Sequence, residues 1–150
     1  EDLDEALARD AQAGEDTLFE VLTDPFAEDA EDRLREYFVD DALDSVLATL
    51  EVFRRDDLIV EQNPAVPDTV ELTDNPRLTE GSSPPQAEVG TCRLDSAIVL
   101  APVVDTDLRV PINNRIYRTD AVSTFLLIEG TWRLQGGTTV SESEGDLTCA

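Results

Sequence analysis

The hydrophobic pattern of this chain changes period once, near Leu58, and that switch restricts the folds open to it. Before it, apolar residues recur at helical spacing. "EDLDEALARDAQAG" sets Leu3, Ala6 and Leu7 on one face and acids on the other, and "EDTLFEVL" continues with Leu18, Phe19 and Leu22. Gly14 either breaks this run or merely weakens it, and "DPF" at Asp24 to Phe26 ends it, because the residue before a proline avoids the α region. "EDAEDRLREYF" brings Ala30, Leu34, Tyr37 and Phe38 to one side, which puts Tyr37 in the core. The clearest helix follows, with Asp40 or Asp41 as N-cap and Leu43, Val46, Leu47, Leu50 and Phe53 on one face. Arg54 and Arg55 occupy its last turn, where the macrodipole favours cations.

After Leu58 the composition turns to Val, Ile, Thr and aromatic residues, as strands require. "LIVEQ" and "DTVEL" read as short strands and "TDNPRLTEGSSPPQ" as a loop. Three longer β segments follow, the last two joined by a tight turn at Glu129–Gly130 in "IEGTW". Helices first and strands afterwards predict an α+β domain, three N-terminal helices packed on a curved antiparallel sheet. One domain is expected over 1–150, with a helical part at about 2–56, a sheet part at about 58–141 and a tail at 142–150. No internal repeat is visible.

A chain of 150 residues buries about 68–70% of its unfolded surface, so it needs no staple merely to fold. Thirty-four acids face eleven basic residues, all Arg, for a net charge of −23. That field has the wrong sign for nucleic acid or anionic lipid, and both are excluded as partners. Lysine-free acidity fits either a saline habitat, where screening shortens repulsion, or a coding bias with an ordinary solvated surface. No segment approaches the roughly 20 apolar residues of a membrane span. The longest, Ala97 to Val104, contains a proline, so any anchor would lie upstream. The opening "EDLDEALARD" reads as a mature product after removal of an upstream segment, or as the edge of an expressed piece.

Two cysteines, Cys92 in "EVGTCRLDSAIVL" and Cys149 in "DLTCA", occur in a chain with no histidine. That excludes the usual zinc sites, and C-x-x-C redox spacing is absent. A cysteine in a soft acidic tail is useful mainly as a tether. Bridging the two would close a loop of about 58 residues, worth about 4 kcal/mol, and would imply an oxidising, extracytoplasmic compartment. The alternative is two free thiols, one buried and one exposed.

The order of three helices, then short strands, a cysteine-bearing strand "AEVGTCRLDSAIV", a hairpin "LLIEGTWRL" and a closing cysteine resembles the NTF2-like (cystatin-like, SnoaL-type) superfamily. More narrowly it is similar to the secreted NTF2-like domains common in actinobacteria, over roughly Asp29 to Cys149. The resemblance implies a cone-shaped sheet wrapped on helices and a disulfide between Cys92 and Cys149. It implies little about activity, because most such secreted members lack an assigned one and fold alone does not give function. Catalytic members pair an Asp with a His or Tyr inside the cone; here there is no His, and the tyrosines are Tyr37 and Tyr117.

Without histidine, triads, His–metal sites and the commonest general base are gone, and no nucleotide or hydrolase motif appears. Carboxylates remain. Asp40, Asp41 and Asp44 read as helix-start acids rather than a base or a cation site. Asp105 and Asp107 are spaced as in a Ca²⁺ loop but lack its glycine and distal Glu, so they read as a solvated turn. Glu142, Glu144 and Asp146 read as a charged edge that blocks strand pairing, and Trp132 as core filling.

The expected function is therefore a non-enzymatic, extracytoplasmic binding or accessory domain acting through protein–protein contacts, with a partner, a copy of itself or a cell-envelope assembly. No cofactor and no metal are expected. The candidate interface is Arg77, Leu78, Pro84 and Pro85 in the Pro-rich excursion, with Arg115 and Arg118 in "NNRIYR". The alternative is a small-molecule or isomerase-like pocket, whose mark would be one carboxylate of raised pKa inside an apolar cavity. A cone packed solid would exclude it. A Ca²⁺-stabilised envelope protein is a third reading.

Overall fold

The computed structural model describes all residues, Glu1–Ala150. Helix α1 spans Leu3–Thr23, α2 Ala30–Arg35 and α3 Asp40–Arg55. Eight strands follow: β1 Ile59–Glu61, β2 Thr69–Leu72, β3 Arg77–Thr79, β4 Gln86–Asp95, β5 Ile98–Pro102, β6 Arg109–Asn113, β7 Tyr117–Ile128 and β8 Thr131–Glu144. The α+β architecture expected from the change of period is the one observed, three helices packed on antiparallel sheet. The strands divide into two sheets. A five-stranded sheet runs β2-β4-β7-β8 with β3 also paired to β4, and a three-stranded sheet runs β1-β5-β6.

Helix α1 opens with a capping box, in which the Asp2 carboxylate accepts from the Glu5 amide and Glu5 reaches back to the Asp2 amide. Gly14 does not break it. A Cβ there would lie 3.2 Å from the Tyr37 Cβ, so the glycine gives up helix propensity to let the chain after α2 pack closely.

Three local readings are corrected. Helix α2 stops at Arg35, and Tyr37 is only half-buried, because Tyr37 to Val39 pair with β8 instead. Leu134 N–H donates to the Tyr37 carbonyl at 2.8 Å, and Val39 N–H to the Leu134 carbonyl at 2.9 Å. For the same reason the N-cap of α3 is the extended Val39, not Asp40 or Asp41. Asp40 has φ +50° and accepts from the Gln135 side chain at 3.0 Å. The stretch "TDNPRLTEGSSPPQ" is not all loop, for β3 pairs with β4 and Arg77 links Asp74 to Glu88 across the hairpin.

The Glu129–Gly130 turn has positive φ at both residues, +52° and +81°, as a two-residue hairpin of matching twist requires. Along β8 the register with β7 slips twice, leaving Gln135 and Val140 without a partner opposite. Such extra residues bend a strand and curve the sheet. β8 continues to Glu144, paired with Tyr117. Gly145 then turns the chain, and its amide bonds the Ile116 carbonyl at 2.9 Å.

Two apolar clusters result. Val21, Leu34, Val46, Leu50 and Phe53 pack among the helices, and Leu7, Ala87, Val89, Phe125 and Trp132 pack between α1 and the large sheet. On the sheet's other face, Cys92 is fully buried and bonded to Cys149, with Cα atoms 5.9 Å apart. Replacing Cys149 by Ser should lower unfolding free energy by about 2–4 kcal/mol in urea titrations under oxidising conditions. A loss well below about 1 kcal/mol would show that the tail contributes no constraint.

Candidate functional site

On β4 and β7 the side chains alternate between faces, so Thr91, Arg93, Thr119, Ala121, Ser123 and Phe125 point toward the helices. Across from them α1 presents Ala11, Gly14, Glu15 and Leu18, and α3 presents Asp41, Ala42, Ser45 and Val46. Between the two layers lies a cavity of about 380 Å³, within the range of small-molecule sites. Its exposed rim is formed by Asp41, Ser45, Gly137 and Thr139. Gly137 cannot be larger, since a Cβ would sit 2.8 Å from the Val122 carbonyl oxygen.

Within this largely apolar space Glu15 is 6% exposed. Its Oε2 accepts from Arg93 Nε at 2.9 Å, and no donor reaches Oε1. Burial pushes the carboxyl up to about 7; the Arg93 guanidinium pulls it back, and the neighbouring Asp68 and Asp95 add to the rise. Burial likewise raises Asp95 above the usual carboxylate range. The Glu15 charge holds the Arg93 pKa well above its ordinary value.

The other buried carboxylate is committed elsewhere. Asp10 Oδ2 accepts from the Trp132 amide at 2.9 Å and Oδ1 from Arg9 Nε at 2.9 Å. Thr91 and Ser123 share a buried hydroxyl hydrogen bond of 2.8 Å on the cavity wall. The site therefore combines a largely apolar chamber, two buried hydroxyls and a buried carboxylate with one oxygen that accepts no hydrogen bond from the protein.

Residues singled out in the sequence lie elsewhere. Arg77, Leu78, Pro84 and Pro85 gather at the β3–β4 hairpin, where Leu78 is exposed and Arg77 is ion-paired. Arg115 and Arg118 lie near the opposite end of β4, beside Glu144 and Asp120 respectively. Asp105 and Asp107 sit in the β5–β6 turn, Glu142 and Glu144 on the edge strand β8, and Trp132 in the core. Of the acids weighed, only Asp41 reaches the cavity. Glu15 was missed. A signal existed: it falls on the stripe Leu7–Ala11–Leu18–Leu22, where an amphipathic helix would place an apolar residue.

No family model and no curated protein match this chain. Solved structures resemble its fold. The intermembrane space region of the chloroplast protein ARC6 superposes with a TM-score of 0.52 at 13% identity, over 89% of this chain and 96% of that one. A protein described as a scytalone dehydratase from Novosphingobium aromaticivorans gives 0.43 at 14% identity, over 97% and 89%. A type 2 hexachlorocyclohexane dehydrochlorinase, LinA, gives 0.35 at 16% identity, over 97% and 94%. At such identities the likeness concerns fold alone.

Because the folded Glu15 holds its proton to about pH 7, against 4.5 ordinarily, its contribution to stability is full below about 4.5 and is lost as pH rises to about 7. The maximum is about 3 kcal/mol. Urea titrations from pH 5 to 8 should show this decline in the native chain and a flatter profile in Glu15→Gln. Parallel profiles would refute the assignment.

Proposed function

We propose that this chain is an NTF2-like binding domain of an oxidising, extracytoplasmic compartment, and that its cone holds a small molecule. The observation that carries this reading is the half-open cavity with a buried carboxylate, one oxygen of which has no partner. That oxygen is not sealed off: it opens onto the cavity, so whatever fills the cavity meets it, and a ligand donor there would take the place of water.

Binding rather than turnover is supported by the economy of titrating groups. Asp10 is held by the Trp132 amide and Arg9, and Asp41 sits on the exposed rim, so Glu15 is the one buried carboxylate left to take a proton, with no histidine to return it. The compartment is supported by the Cys92–Cys149 bond. No helix is long and apolar enough to cross a membrane.

A second reading, contact with a protein partner or another copy, draws on the β5–β6 turn and β6. There Val104 is 84% and Leu108 68% exposed, with Val110 and Ile112 alongside. The hairpin carrying Arg77, Leu78, Pro84 and Pro85 and the pair Arg115 and Arg118, at opposite ends of β4, would be separate contact points. Native mass analysis with cross-linking tests it directly.

The pocket reading is tested by amide NMR of the folded chain against a library of small amphipathic fragments. Shift changes should concentrate at Gly14, Thr91, Ser123 and Gly137. Changes scattered over the surface, or none across the library, would defeat the reading.

A further inference from the structure

The cavity is not electrically neutral, and its imbalance selects among ligands. Three carboxylates line it, Asp10, Glu15 and Asp41, against the single guanidinium of Arg93; Arg9, from outside the lining, pairs with Asp10 and leaves Glu15 and Asp41 as the excess. That guanidinium already faces two carboxylates, its Nε bonding Glu15 at 2.9 Å and its Nη2 lying 3.9 Å from Asp95. The groups acting on Glu15 are Arg93 and Asp95 from β4 and Asp68 from the segment before β2, with Asp10 on its own helix and Asp41 on α3 also lining the chamber. All but Arg93 are acidic. The chain around them carries −23, a field that draws in cations and repels anions.

The free Glu15 oxygen can accept a hydrogen bond, and an ionised carboxylate has acceptor sites to spare beyond the one Arg93 uses. The Thr91 and Ser123 hydroxyls satisfy each other with one hydrogen and keep further lone pairs. The rest of the wall mixes further hydroxyl residues with aliphatic and aromatic ones, Phe38 and Phe125 among them, and aromatic faces attract cations.

Resting on the cavity reading above, we infer that the cone is a site for a small primary amine, bound as its ammonium ion. Its nitrogen donates to the free Glu15 oxygen, and its apolar body lies against Leu18, Phe38, Val46 and Phe125. The ammonium replaces water as the donor to the Glu15 oxygen and offsets the excess negative charge of the chamber. A carboxylate of the same shape meets repulsion, and an alcohol gains the hydrogen bond without the charge.

The test is calorimetry of the full chain with benzylamine, benzyl alcohol and benzoate at pH 6 and pH 8. Benzylamine should bind at least about tenfold more tightly than benzyl alcohol, and benzoate should not bind detectably. Benzylamine should also tighten by about tenfold from pH 6 to pH 8, as Glu15 loses its proton, with proton release seen by comparing buffers. Glu15→Gln should bring benzylamine down to the level of the alcohol and abolish its pH dependence. Ser45→Trp at the rim should block binding. If Glu15→Gln does not fold, the pH dependence and proton release of the native chain still decide the matter. Benzyl alcohol or benzoate equalling benzylamine would overturn the amine assignment and leave the cavity reading standing. Benzylamine binding unchanged by Ser45→Trp would show mere attraction to the acidic surface and also overturn it. Failure of all three probes overturns the amine assignment; only an empty fragment screen as well removes the cavity reading.

Discussion

The bond between Glu15 and Arg93 joins α1 to β4 across 78 residues of chain, and the shape of the cone depends on it. Burying a carboxylate this completely is unfavourable unless a countercharge comes with it. Arg93 supplies that charge, its own side chain 40% exposed and partly hydrated. Two further polar residues on the same helix act in parallel. Asp10 takes the Trp132 amide of β8, and Gln12 accepts from the Val70 amide of β2 at 3.0 Å. Three side chains within two turns thus tie α1 to three strands of the larger sheet. Apolar packing, divided into two clusters with a chamber between them, could not orient the helix so narrowly.

Directional bonds at this seam also explain why a chain with 41% hydrophobic residues leaves space unfilled. Gly14, Gly136 and Gly137 line the chamber and bring no side chain to fill it. Thr91 and Ser123 place hydroxyls where Val or Leu would have filled volume. The double register slip in β8 turns the rim strand around this space.

The order of elements, the α1 boundary at Asp24, the Glu129–Gly130 turn and the burial of Trp132 were legible in the chain because each is set by neighbours within a few residues. What escaped was set at long range. Asp40 looked like a cap by position, yet the start of α3 is dictated by Tyr37 to Val39 lying against Leu134. "TDNPRLTEGSSPPQ" carries loop composition, but β4 recruits Arg77 to Thr79 as an edge strand. Glu15 is one acid among 34, and its partner is remote in sequence. Its place on an apolar stripe was the only local sign of its role.

The Cys92–Cys149 bond has a mechanical consequence. β8 is an edge strand, and a pull on its end would ordinarily peel it from β7 one hydrogen bond at a time, like a zipper. Here the chain leaves β8 at Gly145, runs past Arg118 of β7, whose guanidinium reaches the Thr148 carbonyl at 3.4 Å, and is welded to β4 at Cys92. Tension applied at Ala150 is therefore delivered to an interior strand, flanked by β2 and β7, and never reaches the edge as a peeling load. Many hydrogen bonds must then yield together, which makes the sheet resistant to traction from that end.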